Sequence, residues 1–130
     1  MIVLDASALV EQLLDTPTGL RLHDRCLVGG ESVHAPHLLD LEVTSVLRRY
    51  SQQGLLTAAR AVQAIDDLMD FPLMRYAHDP FLPRIWKLRQ NLTAYDAAYV
   101  ALAELLSVPL VTCDSRLVLA SGHHAEVEVF

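Results

Sequence analysis

The chain has few of the residues that mark several common protein classes. Its 130 residues include only two cysteines, so no disulfide framework is expected and a reducing, cytoplasmic setting fits best. Nothing has the complete spacing of a structural zinc site. The longest apolar stretch, from Ala97 to Leu106, is interrupted by Glu104 and is too short to span a membrane. We also expect no secretory signal, since the first residues lack a basic start.

Positive charge is scarce as well. The net charge is −6, and the ten basic residues are nine arginines and one lysine, Lys87. Because phosphate contacts need lysine and arginine, this balance is unfavourable for general nucleic-acid affinity. It does not exclude a nuclease, since bound metal ions neutralise acidic residues. Arginine suits phosphate contacts and buried ion pairs equally, so the bias towards it decides nothing.

Apolar residues, by contrast, make up 52% of the chain, enough for one sizeable core in a single domain over residues 1–130. Pro17 and Gly19 predict a loop, and Pro36 predicts the start of a helix. Short apolar runs alternate with helical periodicity, which predicts an α/β fold with a mostly parallel sheet covered on both faces. The predicted strands are 2–4, 32–35, 73–76, 109–112 and 127–130, and the predicted helices are 6–14, 20–28, 36–53, 57–70, 83–91, 93–106 and 115–120.

Two aspartates directly follow predicted strands. Asp5 comes after Ile2–Leu4, and Asp114 comes after the strand that ends at Thr112. In parallel sheets, sites lie outside the carboxyl ends of the strands at a switch in strand order, so both carboxylates are expected at one edge. The alternative role for each aspartate is the N-cap of the next helix, although Ser7 is a second N-cap candidate for the helix that follows Asp5. The hydroxyls of Thr112 and Ser115 are candidates for orienting Asp114 or a water.

Two further carboxylates lie on predicted helices. Glu42 lies beside the apolar stripe that contains Val46, where a charge needs a partner or a metal, and the alternative is a salt bridge to Arg49 or another basic residue. Asp96 follows Thr93 at the spacing of a capping box, which is its alternative role. The positive end of the buried helix that follows also favours an anion there.

Four carboxylates gathered at one edge would repel one another and raise one another's pKa values. A hard divalent cation relieves that repulsion, and Mg²⁺ and Mn²⁺ prefer oxygen ligands. Such a site activates water and stabilises the oxygens of a phosphodiester. The pattern therefore predicts a metal site formed by Asp5, Glu42, Asp96 and Asp114.

These residues lie in motifs that resemble those of PIN-domain proteins, and more narrowly VapC-type toxins of bacterial toxin–antitoxin pairs. The match covers nearly the whole chain in order and spacing, and the block around Asp96 is the most specific. The motifs are Ile2-Val3-Leu4-Asp5-Ala6-Ser7-Ala8-Leu9, Leu41-Glu42-Val43, Leu92-Thr93-Ala94-Tyr95-Asp96-Ala97-Ala98-Tyr99-Val100-Ala101-Leu102-Ala103 and Leu110-Val111-Thr112-Cys113-Asp114-Ser115-Arg116-Leu117.

The resemblance implies a three-layer α/β/α sandwich around a parallel sheet of four or five strands. It also implies a Mg²⁺- or Mn²⁺-dependent endoribonuclease that acts on transfer or ribosomal RNA, forms a homodimer and is inhibited by a cognate antitoxin. By residue, Asp5, Glu42, Asp96 and Asp114 match the family's acidic quartet. Asp5, Asp96 and Asp114 are the expected metal ligands, with Glu42 as a ligand or acting through water, and Ser7, Thr112 and Ser115 as supporting residues.

Several alternatives stay open. A phospho-aspartyl phosphatase or receiver is disfavoured because Lys87 is outside any strand end, and a binding module that lost catalysis is disfavoured by the intact quartet. His34 and His37 are expected to be exposed loop residues, and His123 and His124 a solvated loop. The residues that contact RNA are open. Candidates for stacking on bases are Tyr95, Tyr99 and Trp86, although Trp86 is expected to be packed instead. Candidates for binding the RNA backbone are Arg48, Arg49, Arg84, Lys87, Arg89 and Arg116. The apolar stripe of 55–69 fits a dimer or antitoxin groove and core burial equally well.

Overall fold

The computed structural model describes residues 1–130, with the exception of the side chain of Leu27. A five-stranded sheet forms its centre, in the order β3-β2-β1-β4-β5, and every neighbouring pair is parallel. The predicted parallel sheet is therefore confirmed, with five strands. They are β1 (Ile2–Leu4), β2 (Val33–Pro36), β3 (Leu73–Tyr76), β4 (Leu110–Thr112) and β5 (Val127–Val129).

Helices cover both faces of the sheet, giving the three-layer α/β/α sandwich. Right-handed crossovers place α1 to α4 on one face and α5 to α7 on the other, because the chain moves outward in opposite directions from β1. The helices are α1 (Ala6–Leu13), α2 (Pro17–His23), α3 (Leu38–Gln52), α4 (Ala58–Asp70), α5 (Leu82–Lys87), α6 (Ala94–Leu106) and α7 (Arg116–Leu119). A π-helical segment, Asp24–Val28, continues α2, and a 3₁₀ turn, Asp79–Phe81, precedes α5.

The strand order changes direction at β1. The chain proceeds from β1 to β2 on one side, and later returns to place β4 on the other side of β1. Asp5 follows β1, and Asp114 lies two residues beyond the end of β4. Both aspartates therefore lie at the carboxyl edge of the sheet at its topological switch point, where α/β proteins place their ligands.

The core is centred on β1 and α6. All three residues of β1 are fully buried, and the seven residues from Ala97 to Ala103 are each 2% exposed or less. Small alanines in α6 allow the helix to pack closely on β1, β2 and β4. Thr93 begins this helix as its N-cap, accepting a hydrogen bond from the Asp96 amide at 3.1 Å. The fold thus fixes the start of α6 at the same edge of the sheet as Asp5.

Two predicted helix starts were wrong. Pro17 and Gly19 belong to α2 instead of a loop: Thr16 caps the helix and Pro17 occupies its first turn. Gly19 is required there because a Cβ atom would lie 2.0 Å from the carbonyl oxygen of Glu11, so the glycine allows α2 to cross α1 closely. Pro36 ends strand β2 instead of starting a helix, and α3 begins two residues later at Leu38.

Two side chains also differ from expectation. His34 lies in β2 and is 3% exposed, because its ring nitrogens have partners in Ser32 and Tyr76, at 2.9 and 2.8 Å. Trp86 is 68% exposed instead of packed, since the short helix α5 turns Ile85 into the core and Trp86 outward, where Arg89 lies 4.6 Å from its ring centre. Both cysteines are free, and no helix in the described chain has the length and hydropathy needed to span a membrane.

Candidate functional site

Asp5 is held at the end of β1 by two hydroxyl groups. Its Oδ2 atom accepts hydrogen bonds from Ser7 Oγ and Thr112 Oγ1, both at 2.6 Å, and the side chain is only 9% exposed. The carboxylate makes no capping bond to α1, although Asp5 precedes that helix, so the N-cap alternative is wrong for this residue. Ser7 in turn accepts from the Cys113 amide at 3.0 Å, which ties the first turn of α1 to the end of β4.

Glu42 projects from α3 towards the same edge, and its partner is a tyrosine. Tyr99 Oη donates a hydrogen bond to Glu42 Oε2 at 2.5 Å. The Tyr99 side chain is 1% exposed, on the face of α6 that also carries Asp96 one turn earlier. The expected salt bridge to Arg49 is absent among the described ion pairs, so that alternative is wrong.

Asp96 lies in the first turn of α6. Its backbone amide bonds to Thr93, but none of the hydrogen bonds in the described structure uses its carboxylate. The capping box is therefore only half formed: the threonine caps the helix while the carboxylate is left for other partners.

The three carboxylates of Asp5, Glu42 and Asp96, here called the acidic cluster, act on one another. Burial raises the pKa of Asp5 above its ordinary value, the hydroxyls of Ser7 and Thr112 oppose this, and the charge of Asp96 adds to it. Burial likewise raises the pKa of Glu42; the Tyr99 hydrogen bond opposes the rise, and the charges of Asp5 and Asp96 add to it. None of the described ion pairs includes a member of the cluster, and the charge of Arg116 acts on Asp96 only from a longer distance.

Asp114 behaves differently although it occupies the same edge. Arg116 binds both of its carboxylate oxygens, with Nη2 to Oδ2 at 2.5 Å and Nε to Oδ1 at 2.9 Å. The Arg116 amide also donates to Oδ1 at 2.9 Å, but the N-cap of α7 is Ser115, so the N-cap alternative is wrong for Asp114. The Arg116 side chain holds the pKa of Asp114 below its ordinary value. Thr112 links the two halves of the edge, since its hydroxyl accepts from the Asp114 amide at 2.9 Å.

The donor set of the acidic cluster fits a hard divalent cation. In their present positions, no three Asp, Glu, His or Cys groups of the described chain lie close enough together to hold a metal ion. Mg²⁺ does not require such a cage, since it keeps several waters and is bound through one or two carboxylates together with phosphate oxygens. Carboxylates that are buried beside like charges are the ligands whose repulsion such an ion relieves.

The other predicted site residues divide between those that reach this edge and those that do not. Ser7 and Thr112 contact Asp5, whereas Ser115 is exposed and its side chain makes no capping bond. Arg84 is committed to Glu104, at 2.7 Å, and to the carbonyl of Gly122. Tyr99 is too buried to stack a base, and its role as the partner of Glu42 was missed. The signal for that role was a tyrosine within an otherwise apolar buried helix, since a buried phenol needs a hydrogen-bond partner.

Comparison with known proteins identifies the family and the fold of this chain. The family model described as "PIN domain" matches residues 2–122. Ribonuclease VapC12 of Mycobacterium tuberculosis is 43% identical over 99% of this chain and 98% of its own length. The crystal structure of VapC20 from the same organism, a sarcin–ricin loop cleaving toxin, has a TM-score of 0.69 at 13% identity, covering 95% of this chain and 97% of that one. VapBC2 from Rickettsia felis, solved bound to a promoter DNA fragment, has a TM-score of 0.71 at 13% identity and covers 99% and 98% of the two chains.

The two structures share the fold at low identity, whereas the family model and the relative in M. tuberculosis cover nearly the whole sequence. The chain belongs to the PIN-domain family and, within it, to the VapC type.

Proposed function

We propose that this chain is a Mg²⁺- or Mn²⁺-dependent endoribonuclease and the toxin of a toxin–antitoxin pair. The observation that carries the proposal is the acidic cluster: Asp5 is fixed by Ser7 and Thr112 at the switch point of the sheet, beside Glu42 and Asp96. Membership of the VapC type supports the choice of RNA as substrate. Because VapC20 cleaves the sarcin–ricin loop, ribosomal RNA is one candidate, with transfer RNA the other.

In this proposal Asp5, Asp96 and Asp114 hold the cation, and Glu42 assists as a ligand or through a water. When bound, the cation lowers the pKa of a water and stabilises charge on phosphodiester oxygens. Ser7 and Thr112 keep the Asp5 carboxylate in one orientation, and Tyr99 does the same for Glu42. Asp114 joins the ligand set only when Arg116 releases it, since both of its oxygens are occupied by that guanidinium. A water that attacks the phosphorus in line with the 3′ oxygen would break the bond between them, leaving a 5′-phosphate and, once that oxygen is protonated, a 3′-hydroxyl.

The direct test incubates the purified chain with total RNA and maps new 5′ ends by sequencing. Cleavage at a small set of positions is expected with Mg²⁺ or Mn²⁺ and not with EDTA. Asp5→Asn, which keeps an oxygen to accept from Ser7 and Thr112, should remove the cleavage while leaving the fold intact. Cleavage that persists in EDTA, or in Asp5→Asn, would exclude the proposed site. No cleavage by the wild type under any metal would favour a PIN-fold binding module.

An antitoxin and a second copy of the chain are the proposed protein partners. Support for the antitoxin comes from structural neighbours such as VapBC2 and a toxin–antitoxin complex from Klebsiella pneumoniae.

The apolar stripe of α4 is only partly used for the core: Ala64 and Leu68 are buried, whereas Val62 and Met69 are 61% and 66% exposed. Core burial therefore does not account for the whole stripe. Light scattering of the purified chain should report a dimer, and Val62→Glu should shift it towards a monomer if this stripe forms the interface; a monomeric wild type would contradict the dimer.

A further inference from the structure

An open groove runs beside the acidic cluster, between α3 and the first turn of α6. We call it the Tyr95 groove; its volume is about 500 Å³, within the range of small-ligand sites. Glu42 lines one part of it, so the groove is continuous with the acidic cluster. Its main lining residues are Leu38, Leu41, Glu42, Val46, Arg49 and Tyr95.

The groove exposes aromatic and aliphatic surface next to an acidic residue of the candidate site, Glu42. Tyr95 is 64% exposed and Leu41 is 73% exposed, although they lie next in sequence to Asp96 and Glu42, respectively. The position of Tyr95 is fixed by the Thr93 cap, which anchors the first turn of α6 through the amide of Asp96. A planar ring is thus exposed in the same groove as the Glu42 carboxylate.

The groove also contains an arginine that is not used for ion pairs. Five of the nine arginines form ion pairs within the chain: Arg25, Arg60, Arg75, Arg84 and Arg116. Arg49 is in none of the described ion pairs, and its guanidinium lies over the ring of its neighbour Tyr50, 5.8 Å from the ring centre. Its five N–H donors therefore face solvent and the groove, where a phosphate would be their natural ligand.

The spacing along α3 sets what the two ends of the groove can bind together. Glu42 and Arg49 are seven residues apart, which is about 10 Å along the helix axis. If one phosphate of the RNA lies at the carboxylates, the Arg49 guanidinium therefore reaches the neighbouring phosphate. The apolar side chains of the groove and the Tyr95 ring lie between these two phosphate positions. A single-stranded nucleotide, with a flat base flanked by two phosphates, matches this order of groups.

We infer that the Tyr95 groove is a subsite for one unpaired nucleobase adjacent to the scissile phosphate, with the base stacked on Tyr95 and the next phosphate bound by Arg49. The inference rests on the proposed ribonuclease function and adds the form of substrate: RNA that is single-stranded at the cut. Arg49 is the arginine that lines this groove, so it supplies the local attraction for the RNA backbone that an acidic protein otherwise lacks here.

The test measures equilibrium binding of a short, fluorescein-labelled, single-stranded RNA of mixed sequence by anisotropy. The protein is the full chain carrying Asp5→Asn, so that bound RNA is not cut. Added Tyr95→Ala should weaken binding by about 5- to 150-fold, the range of one lost base–aromatic stack. Added Tyr95→Phe, which keeps the ring, should stay within about twofold of the parent. Trp86→Ala is the matched control, since Trp86 is equally exposed but lies outside the groove.

A second probe separates the base from the backbone. It is an oligoribonucleotide of the same length without bases, and Tyr95→Ala should bind it as tightly as the parent does, because there is no base left to stack. Arg49→Ala should weaken binding of both probes and lower the salt dependence by about one phosphate contact. Arg48→Ala should change neither, since Arg48 is also in none of the described ion pairs but lines the groove between α3 and α4.

Equal RNA binding by the parent and Tyr95→Ala would overturn the inference. An equal loss on the probe without bases would do so too, and would indicate that the groove holds backbone or a polypeptide instead of a base. These results leave the proposed function standing if the wild type still cuts RNA. A wild type that neither binds nor cuts RNA would refute the proposed function, and the subsite with it.

Discussion

The two halves of the candidate site use the same chemical group in opposite ways. Asp5 and Asp114 are both aspartates at the carboxyl edge of the sheet, on neighbouring strands β1 and β4. Asp5 is buried, its pKa is raised, and its bonds come from neutral hydroxyls. Asp114 is bound on both oxygens by Arg116, and its pKa is lowered.

The difference shows that strand-end position alone does not decide what a carboxylate does. Where the chain supplies its own cation, as at Asp114, the charge is already compensated. Where it supplies hydroxyls and further carboxylates, as in the acidic cluster, compensation has to come from outside the chain. We therefore expect the need for a divalent cation to reside mainly in the acidic cluster, with Asp114 contributing less.

The largest effects should appear in RNA cleavage. Asp96→Asn removes a carboxylate that is in none of the described hydrogen bonds or ion pairs, and it should lower the cleavage rate by about 100-fold or more, beyond what loss of an outer residue of a metal site costs. Asp114→Asn should cost about tenfold, because its carboxylate is shared with Arg116. Rates measured at saturating Mn²⁺ would check this order. A larger loss in Asp114→Asn than in Asp96→Asn would reverse the comparison.

The next effect concerns the contact between Tyr99 and Glu42. Tyr99→Phe keeps the packing of α6 but leaves the half-buried carboxylate without its donor, so the free energy of unfolding should fall by about 1–3 kcal/mol. Urea denaturation of the metal-free protein would measure it, and Tyr95→Phe, on the exposed side of the same helix, should change nothing.

A double-mutant cycle distinguishes the hydrogen bond from general packing. If the bond is the cause, Tyr99→Phe and Glu42→Ala should be non-additive, because either change removes the same contact. Losses that add within about 0.5 kcal/mol would show that the phenol stabilises the core without acting through Glu42.

The smallest effects are opposite shifts in metal-free melting temperature at pH 7. Since the folded pKa of Asp5 lies above its unfolded value, the charged carboxylate destabilises the fold as pH rises from about 4 through the folded pKa. Asp5→Asn should therefore raise the melting temperature at pH 7, and the gain should vanish near pH 4. For Asp114, with a lowered pKa, the stabilisation is present above about pH 4 and is lost as pH falls, so Asp114→Asn should be slightly less stable at pH 7.

Calorimetric scans from pH 4 to pH 7 give this comparison directly, with EDTA present throughout. Shifts of the same sign in both variants would contradict the contrast between the two halves. A large loss in Asp5→Asn would mean that the carboxylate is needed for the fold itself.

Much of the fold could be predicted because local signals and burial agree there. The apolar run of β1, the Thr57 and Thr93 caps and the alternation of elements each have one interpretation, and the structure confirms them. The errors lie where a residue serves a tertiary contact. Gly19 is typical of a loop in its local sequence, but in the structure it allows α1 and α2 to cross closely, which no local pattern reveals.

For the candidate site, the sequence predicted where the carboxylates lie better than it predicted which side chains contact them. Position after a strand brought Asp5 and Asp114 to one edge, but their different environments depend on Arg116 folding back and on Thr112 lying across from Ser7. Glu42 was recognised as a charge that needs a partner, yet the partner is 57 residues away in sequence. The contact joins two helices from opposite faces of the sheet at its carboxyl edge, so only the structure identified Tyr99.

Titration of the metal-free protein with Mn²⁺ by calorimetry shows whether the acidic cluster binds a cation, with the wild type compared with Asp96→Asn and Asp114→Asn. We predict that the wild type binds Mn²⁺, that Asp96→Asn weakens binding by at least about tenfold, and that Asp114→Asn weakens it less. Equal affinity in the wild type and Asp96→Asn, or no binding by the wild type, would contradict a cation site in the acidic cluster.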